Sequence, residues 1–109
     1  MATGRWTTDT IPAALVGGGQ AGAPQVRAQS MTAVILVASA ADSVMLPRGT
    51  PGSMVILQNA AAANAMGVFP SPGDSINALA ADAVLSVAAN TTVQFCCIRP
   101  NKWATILTA

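Results

Sequence analysis

Short runs of apolar residues alternate with turn residues along most of this chain, and each run has the length of a β-strand. In residues 92–99, Val93, Phe95 and Cys97 fall on one face of a pleated strand, and the even-numbered residues fall on the other. Pro100-Asn101 then supplies a tight reversal. The same reasoning places strands at 32–41, 43–46, 53–59, 66–69, 75–79, 83–87, 92–99 and 102–107. Seven to eight short strands separated by turns predict an all-β fold, a small antiparallel β-sandwich or barrel.

The most apolar run, residues 32–41, carries apolar side chains on both faces of the predicted strand. Val34 and Leu36 fall on one face, and Ile35 and Val37 fall on the other. We therefore expect a strand that is buried on both sides. The run is too short to cross a membrane, which takes about 20 apolar residues, so no membrane association is predicted.

Residues 1–30 differ from the rest, because no strand or helix period continues through them for long. A glycine-rich stretch at 17–22 and Pro24 interrupt them. The sequence therefore predicts an extended N-terminal arm at 1–30 and a β module at 31–109. The apolar residues of the arm are predicted to be assembly contacts on a neighbouring subunit or on an underlying shell: Trp6, Ile11, Leu15 and Val16. The alternative is an arm that docks on its own domain.

Composition points to a chain whose surface is covered by partners. Only 8% of the residues are charged and the formal net charge is +1, whereas roughly a quarter is common in soluble proteins. The chain is 52% hydrophobic, but 23 of its residues are alanine and only 4% are aromatic, so its own core is thin. The few basic residues are scattered, so no nucleic-acid partner is predicted.

Catalytic chemistry has little support in this sequence. The chain has no histidine, glutamate or tyrosine, which removes the commonest general base and the commonest metal ligand. Each of the four aspartates lies beside a turn signal, a position typical of side chains that cap turn amides. Gly17, Gly19 and Gly22 match the letters of a dinucleotide-binding motif, but Pro24 follows and the required α/β domain is missing. We expect a protein that is not an enzyme and has no metal or cofactor.

Cys96 and Cys97 are the only cysteines, and on a strand they face opposite sides. They therefore cannot form a disulfide with each other without strain. We expect two reduced thiols, one of them buried; an intersubunit disulfide is the alternative.

One set of short motifs resembles a small β module found in virion proteins of tailed bacteriophages. The matching residues are Val68-Phe69-Pro70, the stretch 73–79 (GDSINAL), the stretch 92–96 (TVQFC) and Lys102-Trp103. The resemblance covers roughly residues 42–107. It implies a capsid decoration (cement) protein on the virion surface, expected as a homotrimer bound to the major capsid protein. It also leaves open a tail or head-fibre component, or a module that recognises glycans on the host surface.

Overall fold

The computed structural model describes residues 7–11, 19–37 and 42–106. Within these ranges the chain forms nine strands and a single helical turn, α1, at Gly19–Gly22. The strands are β1 (Thr7–Ile11), β2 (Ser30–Val34), β3 (Ser43–Met45), β4 (Met54–Asn59), β5 (Met66–Phe69), β6 (Ser75–Ile76), β7 (Leu85–Val87), β8 (Thr91–Arg99) and β9 (Lys102–Ile106). They build a large sheet of six strands, in the order β1-β2-β4-β8-β9-β6, and a small sheet in the order β3-β5-β7.

Up to β5, the chain winds between the two sheets like a solenoid. β1, β2 and β4 are parallel neighbours in the large sheet, and β3 and β5 are parallel neighbours in the small sheet. Ser30 pairs with Thr7, 23 positions earlier, and with Val55, 25 positions later. Gln25 extends the small sheet by a parallel bridge to Met45. Each turn of this coil therefore adds one strand to each sheet.

Beyond β5 the chain direction reverses, and antiparallel strands close the coil. β7 adds to β5 in the small sheet, and β8 adds to β4 in the large sheet. β9 returns along β8 after the turn at Pro100-Asn101, where Asn101 has a φ of 63°. The two-residue β6 pairs in parallel with β9 and ends the large sheet.

A single core lies between the two sheets. Strand alternation directs Val34, Leu57 and Phe95 inward from the large sheet, and Val44 and Val68 inward from the small sheet. Other buried members are Val26, Val37, Leu46, Val55, Met66, Ile76, Val87, Cys97 and Trp103. The Trp103 indole N–H is buried without an acceptor among the described residues. Because both halves of the chain contribute to this core, they are expected to be stable only together.

The predicted all-β fold is confirmed, and each of the eight predicted strands overlaps a strand of the structure. The predicted antiparallel sandwich or barrel is corrected to a solenoid-like stacking, because four strand pairs are parallel. Alternation within a strand decides which side chains are buried, but it does not choose the neighbouring strand. Winding brings together strands about two dozen residues apart, which no local turn signal specifies.

The expectation that 32–41 is one strand buried on both faces is wrong. β2 ends at Val34, and Ile35 and Leu36 are about half exposed. The chain leaves the large sheet there, and Val37 enters the core. Ile35 and Leu36 lie at the crossover between the two sheets. Because both are apolar, the apolar run in the sequence continues past the end of β2.

The described part of the predicted arm lies on its own module. β1 pairs along its whole length with β2, and Ile11 packs against the core. Ala23 and Val26 are buried. The Arg27 guanidinium pairs with Asp9, with a hydrogen bond of 2.9 Å from its Nε. Of the predicted assembly contacts, Trp6, Leu15 and Val16 lie outside the described residues.

Candidate interaction surface

The outward side of the large sheet carries one row of side chains across five strands. The registers align Thr8, Met31, Ile56, Gln94 and Ile106 on β1, β2, β4, β8 and β9. Met31 is 44% exposed and Ile106 is 45% exposed. Because the inward positions fill the core, this row faces away from it.

Two further rows complete what we call the outer face. They consist of Thr10, Ala33, Gln58 and Thr92, and of Met54, Cys96 and Ala104. None of the residues in the three rows carries a charge. A sheet face in contact with water usually alternates apolar-in and polar-out, and charged residues are common on it. The outer face instead consists of uncharged side chains: threonine, methionine, isoleucine, alanine, glutamine and one cysteine.

At one end of the outer face, the β8–β9 turn forms a cleft with a volume of about 360 Å³. The residues lining it are Asn77, Ile98, Arg99, Lys102, Trp103 and Ala104. Ile98 is 74% exposed, the largest value among the exposed large apolar residues of the described chain. Asn77 is fixed beside β9, because its amide donates to Thr105 Oγ1 and its Oδ1 accepts from the Thr105 N–H, both at 3.0 Å. Ala104 belongs to both the cleft and the outer face, so the two surfaces are continuous.

Three basic residues gather at this end of the molecule. Arg99 and Lys102 flank the turn and line the cleft. Arg48 is next to them in space, since the Asn101 N–H donates to the carbonyl of Gly49 at 2.9 Å. Among the described residues, the only ion pair is Arg27–Asp9, at the other end of the winding. We call Arg48, Arg99 and Lys102 the cationic end.

The four carboxylates are engaged within the chain itself. Asp74 is buried and accepts from the Gly49 N–H at 2.7 Å. Asp82 accepts from the Gly73 N–H at 2.7 Å, and this hydrogen bond, with a second one from Gln20, holds the pKa of Asp82 below its ordinary value. Asp42 is buried and also interacts within the chain.

The predicted capping of turn amides is therefore confirmed for Asp74 and Asp82. Asp9 differs, because it lies on β1 and its hydrogen bonds come from Arg27. Those hydrogen bonds lower the pKa of Asp9.

The two cysteines face opposite sides of β8, as predicted. Cys96 lies half-buried on the outer face, and Cys97 is buried in the core. The Cys97 thiol donates to the Arg99 carbonyl at 3.1 Å, and burial raises its pKa. Both thiols are free.

Within residues 7–11, 19–37 and 42–106, no group of three or more histidine, cysteine or acidic side chains could hold a metal ion. None of the helices found there has the length and hydropathy needed to cross a membrane. Comparisons with protein families, with curated proteins and with solved structures gave no match.

Sequence reasoning missed both the outer face and the cationic end. Each depends on contacts between distant segments: the outer face needs five strands in register, and the backbone at Arg48 comes near the β8–β9 turn only because Gly49 contacts Asn101. A signal was present, because the outward positions of residues 30–34, 54–59 and 91–97 all lack charge. Ile11, the one predicted contact that is described, lies half-buried against the core at the β1 edge.

Proposed function

We propose that this protein is a structural assembly subunit, and specifically a capsid decoration (cement) protein of a tailed-phage virion that attaches to the shell through its outer face. The observation that carries the proposal is the absence of charge from three rows of side chains across the large sheet. The likeness of residues 42–107 to phage virion modules gives the proposal its particular form. The subunit is expected to form homotrimers, with Trp6, Ile11, Leu15 and Val16 near the contacts between copies.

An uncharged sheet face is favourable when another protein covers it. Burying Met31, Ile56 and Ile106 against a partner removes apolar surface from water, which contributes about 25 cal/mol per Å². No charge of the outer face has to be desolvated, and only the threonine and glutamine side chains need hydrogen-bond partners on the other protein. A sheet that presents such a face suits repeated attachment to a flat or gently curved shell.

The glycan-recognition alternative has weaker support. Sugar sites usually need exposed aromatic rings beside polar groups. Phe95 and Trp103 are buried in the core, and Phe69 is only partly exposed. Among the described residues, this leaves no broad aromatic platform on the surface.

The first test is the location and copy number of the protein. Quantitative mass spectrometry of purified virions should find many copies per particle, at a number set by the symmetry of the shell. A handful of copies would place the protein in the tail or fibre. Its absence from particles would show that the proposal is wrong.

The second test addresses the surface. Met31→Glu places a charge on the outer face, and Val84→Glu is the matched control, because Val84 is 47% exposed just before β7 of the small sheet. Particles stripped of the protein should bind Met31→Glu at least about tenfold more weakly than the control, since a charge is then buried without a partner. Circular dichroism should show both variants folded. Equal binding would exclude the outer face as the attachment surface.

A further inference from the structure

We infer that the cleft at the β8–β9 turn binds carboxylate side chains of a partner protein, so that the outer face docks on a protein of different sequence and not on a second copy of this chain. This inference rests on the proposed function and specifies the chemistry of the partner. Its contact would combine an apolar surface opposite Met31, Ile56 and Ile106 with acidic residues opposite Arg99 and Lys102.

The two cations of the cleft lie where a partner on the outer face would cover them. Arg99 and Lys102 line a cleft that continues into an apolar face, and neither forms an ion pair within the described chain. Ile98, 74% exposed, lines the same cleft as these two exposed cations. A partner that covers Ile98 would also remove water from the two cations, and that is favourable only when the partner supplies compensating negative charge.

The protein's own aspartates are already engaged in contacts within the chain. Asp74 and Asp42 are buried, Asp9 is paired with Arg27, and Asp82 holds the Gly73 amide. None of them lies on the outer face. A second copy therefore has no aspartate to offer to the cleft without giving up an internal contact. Two copies stacked through their outer faces would bring two cationic ends into the interface with nothing to neutralise them.

The chemistry of the cleft favours a carboxylate. Arginine offers two parallel N–H donors that match the two oxygens of a carboxylate, and lysine adds a point charge beside them. The exposed Ile98 and the Ala104 methyl group suit the aliphatic stem of an acidic side chain. Phosphate is bound by similar donors, so the experiment has to separate the two anions.

The decisive variant is the double substitution Arg99→Gln/Lys102→Gln, which removes two positive charges from the cleft. The matched control is Ser86→Glu/Ala62→Glu, which changes the net charge equally at exposed positions outside the cleft. Stripped particles should bind the cleft variant about tenfold more weakly than wild type, and that binding should depend less on salt. The control should stay close to wild type. Equal losses in the two variants would mean that net charge alone matters and would overturn the inference.

A measurement without particles separates this inference from the proposed function. Glutarate, a dicarboxylate, should produce saturable amide shifts at residues 98–104 in NMR spectra of the wild-type chain and none in the cleft variant. Inorganic phosphate at equal ionic strength should shift these amides less. Stronger shifts with phosphate, or no shifts with either anion, would overturn the carboxylate assignment while leaving the attachment of the outer face intact. Dimerisation that the Met31→Glu variant abolishes, detected by analytical ultracentrifugation, would overturn the choice of partner.

Discussion

The coiled part of the molecule, up to β5, and the part that follows reach the same two sheets by different routes. We call the second part antiparallel, because its new strand pairs are antiparallel except for the short pair β6–β9. In the coil, each strand pairs with one about two dozen residues away, as Ser30 does with Val55. In the antiparallel part, β8 turns at once into β9 through Pro100-Asn101. Parallel pairing always requires such a crossover, whereas a hairpin requires only a turn. Strands with similar apolar patterns can therefore be paired either through a local turn or through a crossover of about two dozen residues.

The two parts meet at β4. One edge of β4 pairs in parallel with β2, and its other edge pairs antiparallel with β8. The core also draws on both parts, so we expect one cooperative unfolding transition.

The largest expected effect comes from Leu57→Ala in β4. Leu57 is completely buried and sits between Thr32 and Val93 in register. Removing its branched end should lower the free energy of unfolding by about 2–5 kcal/mol. Urea titrations followed by far-ultraviolet circular dichroism and by tryptophan fluorescence should shift together. The neighbouring exposed residue gives the control, since Gln58→Ala should change little. Two separate transitions would show that the coil and the antiparallel part unfold independently.

A smaller loss in the free energy of unfolding is expected from Asn59→Ala, which removes the side-chain hydrogen bonds that connect the two parts. The Asn59 amide donates to the carbonyls of Asn64 and Val87, both at 3.0 Å, and its oxygen accepts from the Ala61 N–H at 3.1 Å. Asn59 is fully buried, so backbone groups would lose their partners, at a cost of about 2–3 kcal/mol. Urea unfolding measures this change directly. The control Asn64→Ala removes one side-chain hydrogen bond, to the Val37 carbonyl, and should cost less. Equal costs would argue against a special role of the Val87 link.

Thiol labelling provides a milder test of the outward and inward faces of β8. In the native protein at pH 8, Cys96 should react with an aromatic disulfide reagent and Cys97 should not, because Cys97 is buried and its pKa is raised. Unfolding in urea should make both available. Cys96→Ser should abolish the fast reaction, and Cys97→Ser should leave it unchanged. Fast labelling of Cys97 in the folded protein would contradict the assigned faces.

The smallest effect is expected from breaking the Asp9–Arg27 pair, which joins β1 to the segment that leads into β2. The hydrogen bonds from Arg27 lower the pKa of Asp9 from 3.8, so the stabilising contribution is present above that value and is lost as the pH falls through the lower, folded-state pKa. Carbon NMR titration of the Asp9 carboxyl group should show the lowered pKa. In the Arg27→Gln variant the pKa should return toward 3.8. If Asp9 titrates with the same pKa in both proteins, the Asp9–Arg27 pair does not help to hold β1 in place.

Local signals in the sequence were enough to place the strands, because burial depends on alternation within a few residues. The shared face of Val93, Phe95 and Cys97 was predicted in this way, as was the turn at Pro100-Asn101. The pairing of β2 with β4 was not, since nothing in either strand encodes the 25-residue separation. The pairing of β1 with β2 was not predicted for the same reason, although an arm docked on its own domain was the stated alternative. The continuous apolar run 32–41 concealed the end of β2 at Val34. The outer face and the cationic end are products of that pairing and could not be found without it.

Because the chain winds in repeated turns, the width of its two sheets can change in steps of one turn. One turn, from Ser30 to Met54, supplies one strand to each sheet and begins again in register at the next strand, because Ser30 pairs with Val55. Tandem duplication of those residues should insert a full turn without altering the antiparallel end, and should widen each sheet by about 4.8 Å. Small-angle scattering would detect the larger particle, and a duplicated chain that fails to fold would show that the turns are not interchangeable. A gene that gains or loses such units could adjust the span of its product while keeping the same closing structure.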